Sequence, residues 1–181
     1  WTNQTLSQIE QVGSNNGVSL VVLIDGPTAH DSRAMYIKSD GSEQSIKLSD
    51  INSAWTDEVN MGDATTLSSF ANYAINQYPA NHYMLDLNDH GGSWAGVCWD
   101  DSSGDNLTMA DLRTAVSSID GTIQSHGGSK LGLLSFDSCL MSSVEVAGNM
   151  SAYAEAMIGS EPVGYTSYHD AAWATTVRNL E

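Results

Sequence analysis

Basic residues are what this sequence has least of. Lysine and arginine together number six against 22 aspartates and glutamates in 181 residues, a formal charge of −16. That balance excludes nucleic acid as a partner, because a binder has to offer clustered cations to phosphates. A cationic partner or substrate fits the negative surplus, as does the plainer role of keeping a secreted or cell-surface protein soluble. Long apolar runs are also missing, and no stretch approaches the ~20 residues that span a bilayer. The opening Trp1-Thr2-Asn3-Gln4 lacks the charged and apolar regions of a secretory signal. Cysteine is limited to Cys98 and Cys139, too few for a disulfide scaffold. Internal repeats and low-complexity linkers are absent. With 41% apolar residues, the chain suits one domain over residues 1–181.

What is present is an alternation of periodic segments. Leu6, Ile9 and Val12 recur at helical spacing. Val18 to Asp25 is a continuous apolar run that predicts a strand buried on both faces, and Arg33 to Ser39 predicts a more peripheral one. From Leu67, the residues Phe70, Ala71, Ala74, Ile75 and Tyr78 mark an amphipathic helix stopped by Pro79. A strand follows at 82–89. A helix carrying Met109, Leu112, Val116, Ile119 and Ile123 comes next, then a buried strand over 131–139, a helix over 140–153 and a short strand over 156–161. Such alternation implies an α/β fold with a mainly parallel sheet and helices on both faces.

In these sheets ligands bind at the carboxyl ends of the strands. His90 and Cys139 each follow such an end, which predicts that they share one rim. A thiol at a strand-to-helix turn has the helix N-terminus to lower its pKa, and an imidazole beside it can take up the proton. Gly91 and Gly92 permit a close backbone approach, so an N–H there could serve an oxyanion. The plainer alternatives are a buried cysteine acting as a small apolar residue and a turn histidine beside conformationally useful glycines. His30, His82, His126 and His169 are rival bases by composition, but only His90 joins an apolar strand to a Gly-Gly turn.

These segments resemble the clostripain-like cysteine peptidases, family C11 of the caspase, gingipain and legumain clan. The resemblance runs from Asn60–Leu67 (NMGDATTL) through Asp89–Val97 (DHGGSWAGV) and Trp99–Asp101 (WDD) to Phe136–Ala147 (FDSCLMSSVEVA) and Gly159–Glu161 (GSE). It implies a three-layer αβα sandwich of caspase-like type. It also implies a cysteine endopeptidase with His90 as general base and acid, Cys139 as nucleophile, and the N–H groups of Gly91 and Cys139 as the oxyanion hole. Asp137 matches an acid that helps shape a pocket for Arg or Lys before the cut. The alternative for Asp137 is a carboxylate capping the next helix.

Departures from the pattern bear on specificity. Family members usually carry a strand ahead of the first helix, and a second acid after the GSE stretch that corresponds here only loosely to Asp170. Many relatives are activated by a cut between histidine and cysteine; Arg113 and Lys130 are the basic residues in that interval. One lies in an expected helix and the other against a core strand, so self-cleavage there is expected to be slow or absent. The chemistry needs no cofactor. The Asp100–Asp105 stretch reads as a solvated polar loop without EF-hand spacing, although a structural calcium fits the resemblance. Cys98 reads as a packing residue. The expected protein is a secreted or cell-surface monomer acting on protein or peptide substrates, and the alternative is a non-catalytic surface or adhesion module on the same scaffold.

Overall fold

The computed structural model describes residues 2–15 and 17–163, with side chains from Thr5 on. The described residues divide into two compact units, one up to Val59 and one from Asn60 to Val163. In the first, helix α1 (Thr2–Val12) is followed by strands β1 (Leu20–Ile24), β2 (Arg33–Ile37) and β3 (Glu43–Ile46) and a single helical turn, α2 (Leu48–Ile51). Leu6, Ile9 and Val12, the residues at helical spacing, turn one face of α1 onto Leu20, Ile24, Met35 and Ile37. The three strands pair antiparallel in the order β1-β2-β3. Two expectations are corrected here. β2 is the central strand of this sheet rather than a peripheral one, and Ala34, Met35 and Ile37 are all buried. β1 is not enclosed on both faces, for Val21, Val22 and Leu23 are only half-buried. Its β-branched run fits a pleated, half-buried surface and does not require burial on both faces.

The second unit carries helix α3 (Ala64–Gln77), strands β4 (Met84–Asn88), β5 (Val97–Asp100) and β6 (Asp105–Leu107), helix α4 (Met109–Ser125), strand β7 (Leu131–Asp137), helix α5 (Val144–Met150) and strand β8 (Ala154–Ile158). β4, β7 and β8 form a parallel sheet in that order, flanked by helices, which is the α/β class expected. α3 starts where Asp63 accepts a hydrogen bond from the Thr65 N–H at 2.7 Å. α4 starts at a capping box in which Thr108 and Asp111 satisfy each other's N–H groups. Leu67, Ala71 and Ile75 of α3 and Leu112, Val116, Ile119 and Ile123 of α4 pack with Leu87, Leu134 and Phe136 of the sheet in one core. The helix expected over 140–153 is shorter, because residues 139–143 form a turn before α5.

Within the stretch from Asp100 to Asn106, residues 101–104 form an exposed turn, as expected of a solvated loop, but its ends are paired. β5 and β6 pair antiparallel across it, and Asp100 is 5% exposed. Its carboxylate accepts hydrogen bonds from the Met61 N–H, the Ser103 N–H and the Ser102 hydroxyl, each at 2.8 Å. Asn60 reaches the same hairpin through Asp105 at 2.8 Å. The segment ahead of α3 is thereby fastened to the hairpin that follows the His90 turn. Burial alone would raise the pKa of Asp100, but the bonds from Ser103, Met61 and Ser102 outweigh it and hold the group below its ordinary value.

A carboxyl held low in the folded state stabilises the fold above its unfolded pKa, and that contribution is lost as pH falls through the folded value. Asp100→Ala is therefore expected to lower stability at neutral pH by about 2–3 kcal/mol. It should also flatten the acid limb of the stability curve. Urea melts at neutral and acid pH check both; equal losses at the two pH values would contradict the assignment.

Candidate active site

The site is built at the carboxyl ends of β4 and β7. Parallel pairing sets Met84 against Leu133 and continues in step to Asn88 against Asp137, residues 49 apart in sequence. His90 and Cys139 keep the same offset (139 − 90 = 49), each two residues beyond the last registered pair. The shared rim expected from the sequence is thus a consequence of strand register. Leu87 and Phe136 face the core, and the opposite parity puts Asn88 and Asp137 together on the other face. The Asn88 amide donates to Asp137 Oδ2 at 2.6 Å. Asp137 does not cap the next helix; Ser143 does, accepting from the Val146 N–H at 3.4 Å.

The two turns touch through backbone. A Cβ built on Gly91 would fall inside van der Waals distance of the Cys139 carbonyl oxygen and reach 3.0 Å from Ser138 Cβ. Only glycine fits there without displacing the Cys139 turn. Gly91 also bridges Val97 antiparallel, but the two bonds that make this bridge are Gly92 N–H to Gly96 O and Cys98 N–H to His90 O. The amide of Gly91 itself therefore points away from Val97. Ser138 is buried and donates to Leu87 O at 3.1 Å, a further tie between the strand ends. Beyond the thiol, the Leu140 N–H donates to Pro162 O at 3.3 Å and the Ser142 N–H to Ser160 O at 3.1 Å, which fastens this turn to the segment after β8.

Backbone strain collects at these turns. Of the four non-glycine residues with positive φ among the described residues, Ser93 and Cys98 lie in the His90 segment and Leu140 directly follows Cys139. Such conformations persist where surrounding contacts over-determine them, as at functional turns. The helix N-terminus expected to help the thiol begins only at Val144, so α5 is not directly behind Cys139.

Support for His90 comes from a hairpin that the sequence reading missed. Asp89 Oδ2 accepts the Trp99 N–H at 2.6 Å. Burial raises the Asp89 carboxyl pKa above its ordinary value; hydrogen bonds from the His90 and Trp99 N–H groups pull the other way. The two cysteines differ in kind. Cys98 is half-buried against the core, and burial first, then the charges of Asp89 and Asp86, push its thiol pKa up, which disfavours the thiolate. Cys139 is half-buried and His90 is exposed. Both cysteines are thiols, with no disulfide between them. Among the rival histidines, His82 and His126 precede β4 and β7 and so approach the opposite, amino edge of the sheet. His126 is held there by Asn76 at 2.9 Å. His30 belongs to the first unit, where the hydrogen bond to Asp57 at 3.0 Å raises its pKa. His169 and Asp170 lie outside the described residues.

Carboxylates able to hold a hard cation occur in the first unit rather than in the 100–105 stretch. One oxygen each from Asp25, Asp31 and Glu58 lie within 4.8 Å of one another. All three already accept hydrogen bonds: Asp25 from the Ser32 hydroxyl, Asp31 from the Gly26 and Thr28 N–H groups, and Glu58 from the His30 N–H.

The glycine contacts yield a paired prediction. Gly91→Ala is expected to lower stability by about 1–3 kcal/mol, because a carbonyl of the adjoining turn has to move. Gly121→Ala, in α4 with open space around it, is expected to raise stability by about 0.5–1 kcal/mol. Denaturant midpoints measure both; a stable Gly91→Ala variant would contradict the contact.

Comparison with known proteins agrees with this geometry. The sequence model of the clostripain family matches residues 3–174. Clostripain from Hathewaya histolytica is 35% identical over 122 residues, which are 59% of this chain and 22% of that protein. A secreted C11 cysteine protease from Bacteroides thetaiotaomicron, solved in complex with an irreversible peptide inhibitor, superposes with a TM-score of 0.66 at 23% identity, covering 88% of this chain and 42% of that one. An inactive zymogen C11 protease from Parabacteroides distasonis gives a TM-score of 0.66 at 22% identity, over 90% of this chain and 43% of that one. The chain thus spans about a fifth of that curated relative and less than half of each solved structure. It shares their caspase-like fold, and the match over 3–174 shows that it belongs to the clostripain family, C11.

Proposed function

We propose that this chain carries the catalytic core, within a single peptidase domain, of a cysteine endopeptidase that cuts polypeptides after arginine or lysine. The observation that supports this most is the β4–β7 register, with His90 and Cys139 two residues past the same pair and Gly91 against the Cys139 carbonyl. His90 takes the proton of the Cys139 thiol, and Sγ attacks the scissile carbonyl carbon. The negative oxygen that develops is held by the N–H groups of Gly91 and Cys139. The C–N bond breaks as the imidazolium returns its proton to the leaving amine. Water, deprotonated by His90, then attacks the thioester, releasing a carboxylate product and restoring the thiol. No cofactor enters these steps, and a structural calcium is compatible with them.

Asp137 supplies the negative charge for an arginine or lysine side chain, with the Asn88 amide fixing the orientation of its carboxylate. The overall charge of −16 draws cationic substrates toward the chain. We assign the protein to the secreted or cell-surface space as a monomer acting on proteins or peptides. No helix among the described residues is long and apolar enough to cross a membrane.

Cys139→Ala is expected to abolish hydrolysis of arginine and lysine esters while the melting curve stays within about 1 kcal/mol of wild type. An arginine chloromethylketone should label Cys139 stoichiometrically. Undiminished hydrolysis in the variant, or an accessible thiol that the reagent leaves unlabelled, would refute the reading, the latter favouring a binding module on the same scaffold. Self-cleavage between histidine and cysteine is expected to be slow. Arg113 lies within α4, and Lys130 directly precedes β7 with Nζ bonded to Ser151 O at 3.4 Å, so neither is presented in extended form. Rapid splitting at either residue that disappears in Cys139→Ala would contradict this on a denaturing gel.

A further inference from the structure

Two of the most exposed large apolar side chains among the described residues stand on the two turns of the site. Trp94 is 74% exposed and Val144 79% exposed. They flank a single hydrogen bond, from the Ser93 hydroxyl to the Ser143 hydroxyl at 2.9 Å. Trp94 sits in the short helical turn Ser93–Ala95, three residues beyond Gly91, and Val144 opens α5, five residues beyond Cys139. The Ser93–Ser143 bond joins the two segments, so Trp94 and Val144, each next to a bonded serine, stand on adjoining turns and are both open to solvent. Folding gives no reason for either. A valine at an exposed first helical position gains nothing from burial and ranks below many residues in helix propensity. Single exposed apolar residues are ordinary, but two on adjoining turns beside the candidate site point to a contact surface.

We infer that Trp94 and Val144 form the apolar wall of a subsite for the residue following the cut bond, with a preference for a large apolar side chain there. The inference rests on the roles proposed above for His90 and Cys139. His90 has to pass its proton to the leaving amine, so the residue bearing that amine lies over the His90 segment, which is where Trp94 stands. The side chain before the cut is directed to Asp137 at the end of β7. The occupant is therefore substrate, and its chemistry is that of leucine, methionine or phenylalanine.

The test compares two peptides that share arginine before the cut and carry leucine or glycine after it, with an arginine ethyl ester as a substrate lacking that residue. Wild type is expected to show a kcat/KM about tenfold higher for the leucine peptide. In Trp94→Ser and in Val144→Ser the leucine peptide slows until the ratio approaches one, whereas Trp94→Phe keeps the preference. Equal rates in wild type, or a preference that survives both serine variants, overturns the inference while leaving the peptidase reading standing. The second of these is the result expected if the patch docks another protein instead. Failure of wild type to hydrolyse the ester and both peptides overturns the peptidase reading and this subsite with it.

Discussion

The pairing of β4 with β7 is the constraint on which the second unit's geometry depends. Parallel strands carry their side chains forward in step, so a residue just past one strand end meets the residue just past its neighbour. His90 and Cys139 occupy such positions although 49 residues separate them. One-residue slippage of β4 or of β7 would turn Leu87 or Phe136 out of the core, and both are buried. The apolar face thus enforces the register, and the register aligns the two turns. Packing in the core and geometry at the rim have the same physical origin.

Contacts around the turns convert alignment into a defined arrangement. Gly91 lies against the Cys139 carbonyl, Ser138 reaches Leu87 O, and Ser93 reaches Ser143. On the far side, residues 140 and 142 are bonded to the segment after β8. The β5–β6 hairpin holds the histidine segment from behind through Asp89, and Asp100 fastens that hairpin to the segment leading into α3. The two thiols also differ in place. Burial and nearby carboxylates push the Cys98 pKa up, whereas Cys139 follows the end of β7. In the proposed mechanism nucleophilic chemistry falls to Cys139, and the raised pKa of Cys98 disfavours its thiolate.

Much of this was legible in the sequence, for identifiable reasons. The helices α3 and α4 carry apolar residues at helical spacing, and the strands β4 and β7 are apolar runs ending at polar residues. Their alternation was enough to put His90 and Cys139 on one rim. The antiparallel sheet of the first unit was harder to read, because β3 (Glu43–Ile46) is polar and mostly exposed, and because central β2 has a weaker apolar pattern than its neighbour β1. The β5–β6 hairpin was hidden by composition: its acidic, serine-rich turn resembles a solvated loop, and the burial of Asp100 arises from N–H groups distant in sequence. The spacing from Cys139 to α5 was likewise misread, since apolar residues recur along the whole run from Leu140 to Tyr153 and conceal the cap at Ser143. Trp94 and Val144 looked like ordinary motif residues until their exposure and the Ser93–Ser143 bond put them on adjoining turns.

The central claim is that one sulfur, Cys139, carries the acyl group of a substrate cut after a basic residue. Rapid acid quench during turnover of an arginine ester, followed by proteolysis and peptide mass measurement, reads this directly. The account predicts an arginyl acyl increment on the peptide containing Cys139, and its loss when the quench is delayed past substrate exhaustion. An acyl group on the peptide containing Cys98, or continued ester hydrolysis with no acyl group on either cysteine peptide, would contradict it.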